Sequence, residues 1–130
     1  MKLMHAVLLT LAYTTPILTL PLPEPNNSIT PRNPATSIKD LARLLLPDGP
    51  QFACLDQILE PESHWAVTAT NPTTGAYGLF QALPGDKMAA AGPDWRTNPE
   101  TQIRWGLGYI RGRYRDSCAA LEFRRGHGWY

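Results

Sequence analysis

The chain has 130 residues, with 12 Lys plus Arg against 11 Asp plus Glu and a formal net charge of +1. A chain of this length holds one small domain, and a net charge this close to zero gives no global field that would draw the protein onto nucleic acid. The 13 prolines and 10 glycines favour loops and short elements over a long regular sheet or bundle.

The first residues have the pattern of an export signal. Met1-Lys2 provides a minimal positive start, and the stretch from His5 to Leu20 is largely apolar. We therefore expect residues 1–22 to be a signal peptide and the mature protein to be secreted and extracellular. An uncleaved N-terminal membrane anchor is the alternative, although Pro16 and Pro21 interrupt any run of about 20 apolar residues.

Residues 23–50 are predicted to be a proline-rich linker with one short helix. Proline recurs at short intervals up to residue 35, and this stretch has too few apolar residues to pack. After it, Ser37 can cap a short helix that Pro47 and Gly49 end. The predicted apolar face of this helix comprises Ile38, Leu41, Leu44 and Leu45. The sequence leaves open whether the helix docks on the domain that follows.

The first core helix is predicted over Gln51 to His64, and a short β-hairpin is predicted after it. Apolar residues recur at near-helical intervals in this segment, and Pro61 is expected to distort its last turn. Beyond the helix, the turn-forming residues from Asn71 to Gly75 separate short apolar stretches. This pattern predicts a loop with a short hairpin.

Three further helices are predicted between the hairpin and the C-terminus. A short helix is expected over residues 86–91, and a last helix, capped by Ser117, ends at residue 126. Between them, a long helix begins at Pro99 with Thr97 or Asn98 as its cap and ends near residue 113 or 114. The predicted fold class of residues 51–130 is therefore α+β and mainly helical.

Two cysteines, Cys54 and Cys118, follow the export segment. An even cysteine count in an oxidising compartment indicates one disulfide, and two buried free thiols are the alternative. The three histidines lie far apart, without clustered cysteines or carboxylates, so no zinc site is expected. No cofactor is implied.

The C-terminal stretch carries an excess of positive charge. From residue 104 onward its only acidic residues are Asp116 and Glu122. The positive residues there are Arg104, Arg111, Arg113, Arg115, Arg124 and Arg125. Such a surface could favour an anionic polymer such as a cell wall, and a solvated helix face is the alternative.

Glu62 is the residue that the sequence singles out for chemistry. Glycan cleavage needs a carboxylic acid beside the scissile oxygen, kept neutral by apolar or aromatic surroundings. Glu62 ends an apolar helix, immediately before Ser63-His64-Trp65 and the predicted hairpin. We expect Trp65 and the hairpin to shield the carboxyl group. Helical geometry turns Glu60 to a different side, where it is interpreted as a surface carboxylate.

Several strings of this sequence resemble the lytic transglycosylase domains of actinobacteria and their phages. These strings are Glu62-Ser63-His64-Trp65, the glycine-bounded stretch from Gly75 to Gly85, which reads Gly-Ala-Tyr-Gly-Leu-Phe-Gln-Ala-Leu-Pro-Gly, and the closing Gly128-Trp129-Tyr130. The similarity extends over about residues 52–130 and places the chain near the soluble lytic transglycosylases and resuscitation-promoting factors of the lysozyme-like superfamily. It implies a lysozyme-like fold and also a Cys54–Cys118 bridge.

The resemblance implies a role for each matching polar residue. Glu62 would be the catalytic acid and later the base, and Ser63 would orient Glu62 or the substrate. Tyr77 and Gln81 would hold sugar groups across a cleft, and Tyr109 would be a cleft tyrosine, with core packing as its alternative. Tryptophans are further candidates for stacking on sugar faces, or else for the core; they are Trp65, Trp95 and Trp105.

The sequence departs from the family pattern beside the acid and in the hairpin. Pro61 stands where a charged residue is common, and His64 stands where a glycine is common. In the hairpin, Leu79-Phe80-Gln81 replaces the usual aliphatic-Pro-Gln pattern. These changes retain Glu62 but alter its helix end and one wall of the cleft.

The predicted function is cleavage of the β-1,4 bond between N-acetylmuramic acid and N-acetylglucosamine in peptidoglycan. Glycosidases pair two carboxylates, and none of Asp86, Asp94 and Glu100 matches the motif context of Glu62. A single acid suits a transglycosylase, in which the muramic 6-hydroxyl attacks internally. Hydrolysis, as in lysozyme, and a non-catalytic wall-binding or aggregation module are the alternatives. The expected partner is the glycan strand of a cell wall, bound by a monomer.

Overall fold

The computed structural model describes residues 37–130, a mainly helical body with five helical segments. They are α1 (Ile38–Leu45), α2 (Gly49–Ser63), a 3₁₀ helix (Gly85–Ala90), α3 (Pro99–Tyr114) and α4 (Ser117–His127). The predicted export segment and the proline-rich stretch before residue 37 lie outside the described residues. Within residues 37–130, no helix is both long and apolar enough to cross a membrane.

Capping side chains determine where these helices begin. The predicted caps are confirmed for α1, where Ser37 Oγ accepts from the amide of Asp40, and for α3, where Asn98 accepts from the amide of Glu100. The predicted cap of α4 is wrong by one residue. Asp116 is extended and its carboxylate accepts from Ala119 N, so Ser117 becomes the first helical residue.

Helix α2 continues through Pro61 and ends only at Ser63. The chain then reverses, because His64 and Trp65 both adopt left-handed backbone angles, with φ of 48° and 58°. Such angles are uncommon outside glycine. This reversal sends the chain back over the body of the protein immediately after Glu62.

The segment after α2 forms a turn-rich loop in which the predicted hairpin is reduced to two isolated β-bridges. Tyr77 pairs with Thr70 on one side and with Ala82 on the other, and no longer strand forms within residues 37–130. The Asn71 side chain accepts from two following amides, and Gly75 closes the turn at φ 79°. We call residues 66–84 the bridge loop.

Gln102 anchors the bridge loop on α3. This side chain is fully buried. Its Oε1 accepts from Leu79 N at 2.8 Å, and its Nε2 donates to Val67 O at 2.9 Å and to Trp95 O at 2.8 Å. Gly78 lies so close that a Cβ there would be 2.6 Å from Gln102 Oε1. The glycine at this position therefore serves packing within the protein rather than close approach to a ligand.

The core lies between the helices and includes α1, whose docking the sequence left open. Ala42 of α1 is fully buried, and α1 contacts both α2 and α3. Leu44, predicted on the apolar face, is 67% exposed and does not belong to it. The predicted disulfide is confirmed: Cys54 of α2 and Cys118 of α4 are bonded, with their Cα atoms 5.0 Å apart.

Candidate functional site

Glu62 lies in the last turn of α2 and is paired with Arg124 of α4. Arg124 Nε and Nη2 both donate to Glu62 Oε1, at 3.1 and 2.9 Å. The Glu62 side chain is 23% exposed and the Arg124 side chain 25%. Glu62 Oε2 has no hydrogen bond to any of residues 37–130. One carboxylate oxygen is thus held by the protein and the other is free to meet a ligand.

The surroundings of Glu62 differ from the expected apolar pocket. Trp65 turns away from it: its indole is buried against Phe52 and donates to Asp56 Oδ1 at 2.8 Å. A guanidinium, rather than an indole, therefore contacts the carboxylate. The expected shielding of Glu62 by Trp65 is therefore absent, and the contact of the carboxylate is a charged group of α4.

Tyr130 connects Glu62 to a neighbouring cleft. Its hydroxyl donates to Phe80 O at 3.1 Å. Burial raises the pKa of Tyr130, and the negative charge of Glu62 raises it further. Tyr130 and Phe80 both line the cleft, so Glu62 lies close enough to one lining residue for its charge to act on it, although Glu62 itself does not line the cleft.

The cleft is a cavity of about 220 Å³ between the bridge loop, α3 and the C-terminal residues. Aromatic and positively charged side chains dominate its wall. It is lined by Phe80, Gln81, Ala82, Leu83, Lys87, Trp105, Tyr109, Arg113, Trp129 and Tyr130. No carboxylate is among these lining residues.

Two stacked rings of α3 form one wall of the cleft. The rings of Trp105 and Tyr109 lie nearly parallel, with centroids 5.3 Å apart and planes at 17°. Trp129, which is 52% exposed, adds a further aromatic surface. Flat aromatic faces that remain accessible on one side are suited to packing against apolar faces of a ligand such as a sugar ring.

Gln81 of the bridge loop also lines the cleft. It is half-buried, and its Nε2 donates to Gly78 O at 3.0 Å and to Ala69 O at 3.2 Å. Its backbone is held at φ 49°, a region that residues other than glycine rarely adopt. With both amide hydrogens used within the bridge loop, the side-chain oxygen is the group left to accept from a ligand.

Ser63 and Tyr77 do not join this arrangement. The buried Ser63 hydroxyl donates to Leu79 O at 2.9 Å, which ties the end of α2 to the bridge loop. Tyr77 donates to Arg96 O at 2.8 Å, and its ring packs edge-on against Trp95. Neither side chain lines the cleft. The structure therefore brings Gln81 and Tyr109 together at the cleft and leaves Ser63 and Tyr77 in packing positions.

The other carboxylates considered from sequence lie elsewhere. Hydrogen bonds from Asn98 and then from Thr101 lower the pKa of Asp94, and Glu100 forms an ion pair with Arg104 at 2.6 Å. Asp86 is exposed and does not line the cleft. Glu60 is bound by Lys39 of α1 at 2.9 Å. Among residues 37–130, no three His, Cys, Asp or Glu side chains cluster as metal ligands would.

Sequence reasoning missed several residues of this site. The sequence indicates Arg113 and Arg124 only as part of an excess of arginine, and Trp129 and Tyr130 only as the end of a matching string. It gives no signal for Lys87. The excess of arginine toward the C-terminus was the one signal that pointed to this face. It did not identify which arginine meets Glu62, because the pair is 62 residues apart in the chain.

Comparison of the chain with models of protein families, with curated proteins and with solved structures found no match.

Proposed function

We propose that this protein is a lysozyme-like lytic transglycosylase that cleaves peptidoglycan glycan strands, with Glu62 as its acid and base. One observation carries the proposal: a partly shielded carboxylate, with one oxygen that no group of residues 37–130 hydrogen-bonds, lies near Tyr130, which lines an aromatic cleft of about 220 Å³. A carboxyl group of this kind can protonate a glycosidic oxygen once a substrate occupies the cleft. Accessible aromatic rings beside it supply the stacking surface that a sugar requires.

No carboxylate of the described residues lines the cleft as a possible partner of Glu62, and this favours transglycosylation over hydrolysis. Glycosidases that hydrolyse their substrate use a second carboxylate about 5 to 9.5 Å from the first, as a nucleophile or to activate water. The lining residues supply none. In the proposed reaction, Glu62 first protonates the glycosidic oxygen that leaves. It then removes the proton of the muramic 6-hydroxyl while O6 attacks C1 of the same sugar. The products are a 1,6-anhydro end and a free 4-hydroxyl, and no water is consumed.

A non-catalytic cell-wall-binding module is the second candidate function. The observation that favours it is the ion pair with Arg124, because two hydrogen bonds from Arg124 already engage one oxygen of Glu62 and give this side chain a structural role that joins α2 to α4. A binding module would use the same aromatic cleft without the chemistry.

Mass analysis of digested peptidoglycan separates these functions. Purified peptidoglycan is incubated with the wild type, with Glu62→Gln and with Glu60→Gln, and the soluble muropeptides are weighed. We expect anhydro ends from the wild type and from Glu60→Gln, and no soluble products from Glu62→Gln, which cannot donate a proton. A positioned general acid contributes about 10²- to 10⁴-fold to a rate, so the loss will be complete in practice.

The other outcomes of this experiment are equally clear. Reducing ends, heavier by one water, would identify a hydrolase. Wild-type protein that sediments with insoluble peptidoglycan but releases nothing would identify a binding module. Glu60→Gln is a fair control because Glu60 ends the same helix but faces Lys39 on α1.

A further inference from the structure

Among the described residues, two positive side chains and no negative one line the cleft. Lys87 of the 3₁₀ helix and Arg113 of α3 line the same cavity as Trp105 and Tyr109. Within residues 37–130, neither Lys87 nor Arg113 forms an ion pair. By contrast, carboxylates pair with Arg43, Arg104, Arg115, Arg124 and Arg125.

Aromatic faces, rather than an acidic partner, hold the guanidinium of Arg113. It lies over the rings of Trp129, Tyr114 and Tyr109, at 5.4, 5.7 and 5.9 Å from their centroids. Cation–π contacts of this kind fix the position of the group while leaving its N–H donors unused. An arginine with its donors free is well suited to recognising a carboxylate.

Lys87 provides a second positive charge in the same cavity. Its ammonium group donates one hydrogen bond to Leu83 O, at 2.7 Å, which leaves two of its three donors available. Lys87 and Arg113 belong to different elements, and the cleft is bounded by both. A ligand that occupies this cleft therefore meets positive charge from two separate parts of the protein.

We infer that Lys87 and Arg113 recognise a carboxylate on the glycan and make the cleft selective for acidic strands. The inference rests on the proposed function, because it concerns the same cleft. Two substituents of peptidoglycan carry the required chemistry: the lactyl group of N-acetylmuramic acid and the peptide attached to it. A neutral glycan, or one whose carboxylates are converted to amides, leaves both cations without a partner.

The test measures binding, with Glu62→Gln as the background so that no ligand is cleaved. Four soluble probes are titrated by tryptophan fluorescence. The first is a tetrasaccharide of alternating N-acetylglucosamine and N-acetylmuramic acid with free lactyl carboxylates, and the second is its lactyl carboxamide. The third carries peptides with free carboxylates, and the fourth is a neutral tetramer of N-acetylglucosamine.

We expect at least one carboxylate probe to bind about tenfold more tightly than the carboxamide, the effect of one or two charge-assisted hydrogen bonds. The preferred probe shows whether the lactyl or the peptide carboxylate is recognised. Lys87→Gln and Arg113→Gln should each reduce the ratio of the affinity for the carboxylate probe to the affinity for the carboxamide. The double variant should bring this ratio close to one. Affinity for the carboxamide should change less than twofold. Added salt should also reduce the ratio.

Arg111→Gln is the matched control. Arg111 is on the same helix and carries the same charge, but it lines grooves on other parts of the surface and not the cleft. If Arg113→Gln does not fold, Arg113→Lys retains the positive charge and should retain the preference.

Equal affinity for the carboxylate and carboxamide probes would overturn the inference, as would a preference that survives the double variant. Muropeptide release without such a preference would leave the proposed function intact and contradict only the inference. A preference for carboxylate probes without muropeptide release would support the inference and contradict the proposed function.

Discussion

Arg124 donates two hydrogen bonds to a single oxygen of Glu62, from Nε at 3.1 Å and from Nη2 at 2.9 Å. The pair joins the last turn of α2 to α4, and both side chains are about three-quarters buried. Reduced solvent screening strengthens the attraction between such charges. Any proton transfer by Glu62 must therefore take place in the field of Arg124.

Replacement of Arg124 should lower activity by releasing the Glu62 side chain. The two hydrogen bonds from Arg124 hold one oxygen of Glu62 in place, and a general acid acts only when it is positioned at the atom that receives the proton. In Arg124→Gln, kcat should fall by about tenfold or more while the protein stays folded, which steady-state kinetics and a thermal melt will measure. Arg125→Gln is the control, because Arg125 is the next residue of α4 but pairs with Glu122. An unchanged kcat in Arg124→Gln would show that the pair does not position the acid.

Substitutions of Gln81 and of Tyr77 should have different effects, although the sequence predicts the same role for both residues. Gln81→Ala should lower kcat/KM by about threefold to tenfold, the value of one hydrogen bond to a ligand, and should leave the pH profile unchanged because an amide does not titrate. Tyr77→Phe loses the bond to Arg96 O and should lower the melting temperature more than the activity. Steady-state kinetics and thermal melts measure both variants. Unfolding of Gln81→Ala would show that this residue is structural.

Gln102 should be among the most sensitive positions for stability. Gln102→Leu fills similar space but leaves Leu79 N, Val67 O and Trp95 O without their partner. Each unsatisfied buried group costs about 1 to 3 kcal/mol, so the free energy of unfolding should fall by about 3 kcal/mol or more. Urea denaturation measures this. Gln57→Leu, on the exposed side of α2, should lose far less, and a similar loss at both positions would contradict the anchoring role of Gln102.

Loss of the disulfide should lower stability without removing the site. Cys54 and Cys118 close a loop with a sequence separation of 64 residues, and such a bond is worth about 4 kcal/mol in the chain-entropy model. The double variant Cys54→Ser/Cys118→Ser should melt at a lower temperature and remain active below its transition. Thiol titration of the denatured, unreduced wild type should find no free thiol. Two free thiols per chain would contradict the bridge.

The helices follow from local chemistry, and for this reason their positions were predictable. A cap such as Ser37 or Asn98 satisfies amides within three residues of itself, and Pro99 suits the first helical position whatever the rest of the chain does. Where two caps compete locally, the choice depends on packing. Asp116 caps α4 while the amide of Ser117 binds Gln51 of α2, 66 residues away.

The sequence by itself determined the mainly helical class, most helix bounds, the cysteine pair and the choice of Glu62 as the residue to examine. Only the tertiary structure decided what surrounds that residue. Packing of α2 against α4 brings Arg124 to Glu62, and packing of the bridge loop on α3 turns Gln81 and Tyr109 toward one cleft. Contacts between residues so far apart depend on how whole helices are oriented in the core, and neither periodicity nor capping encodes that orientation.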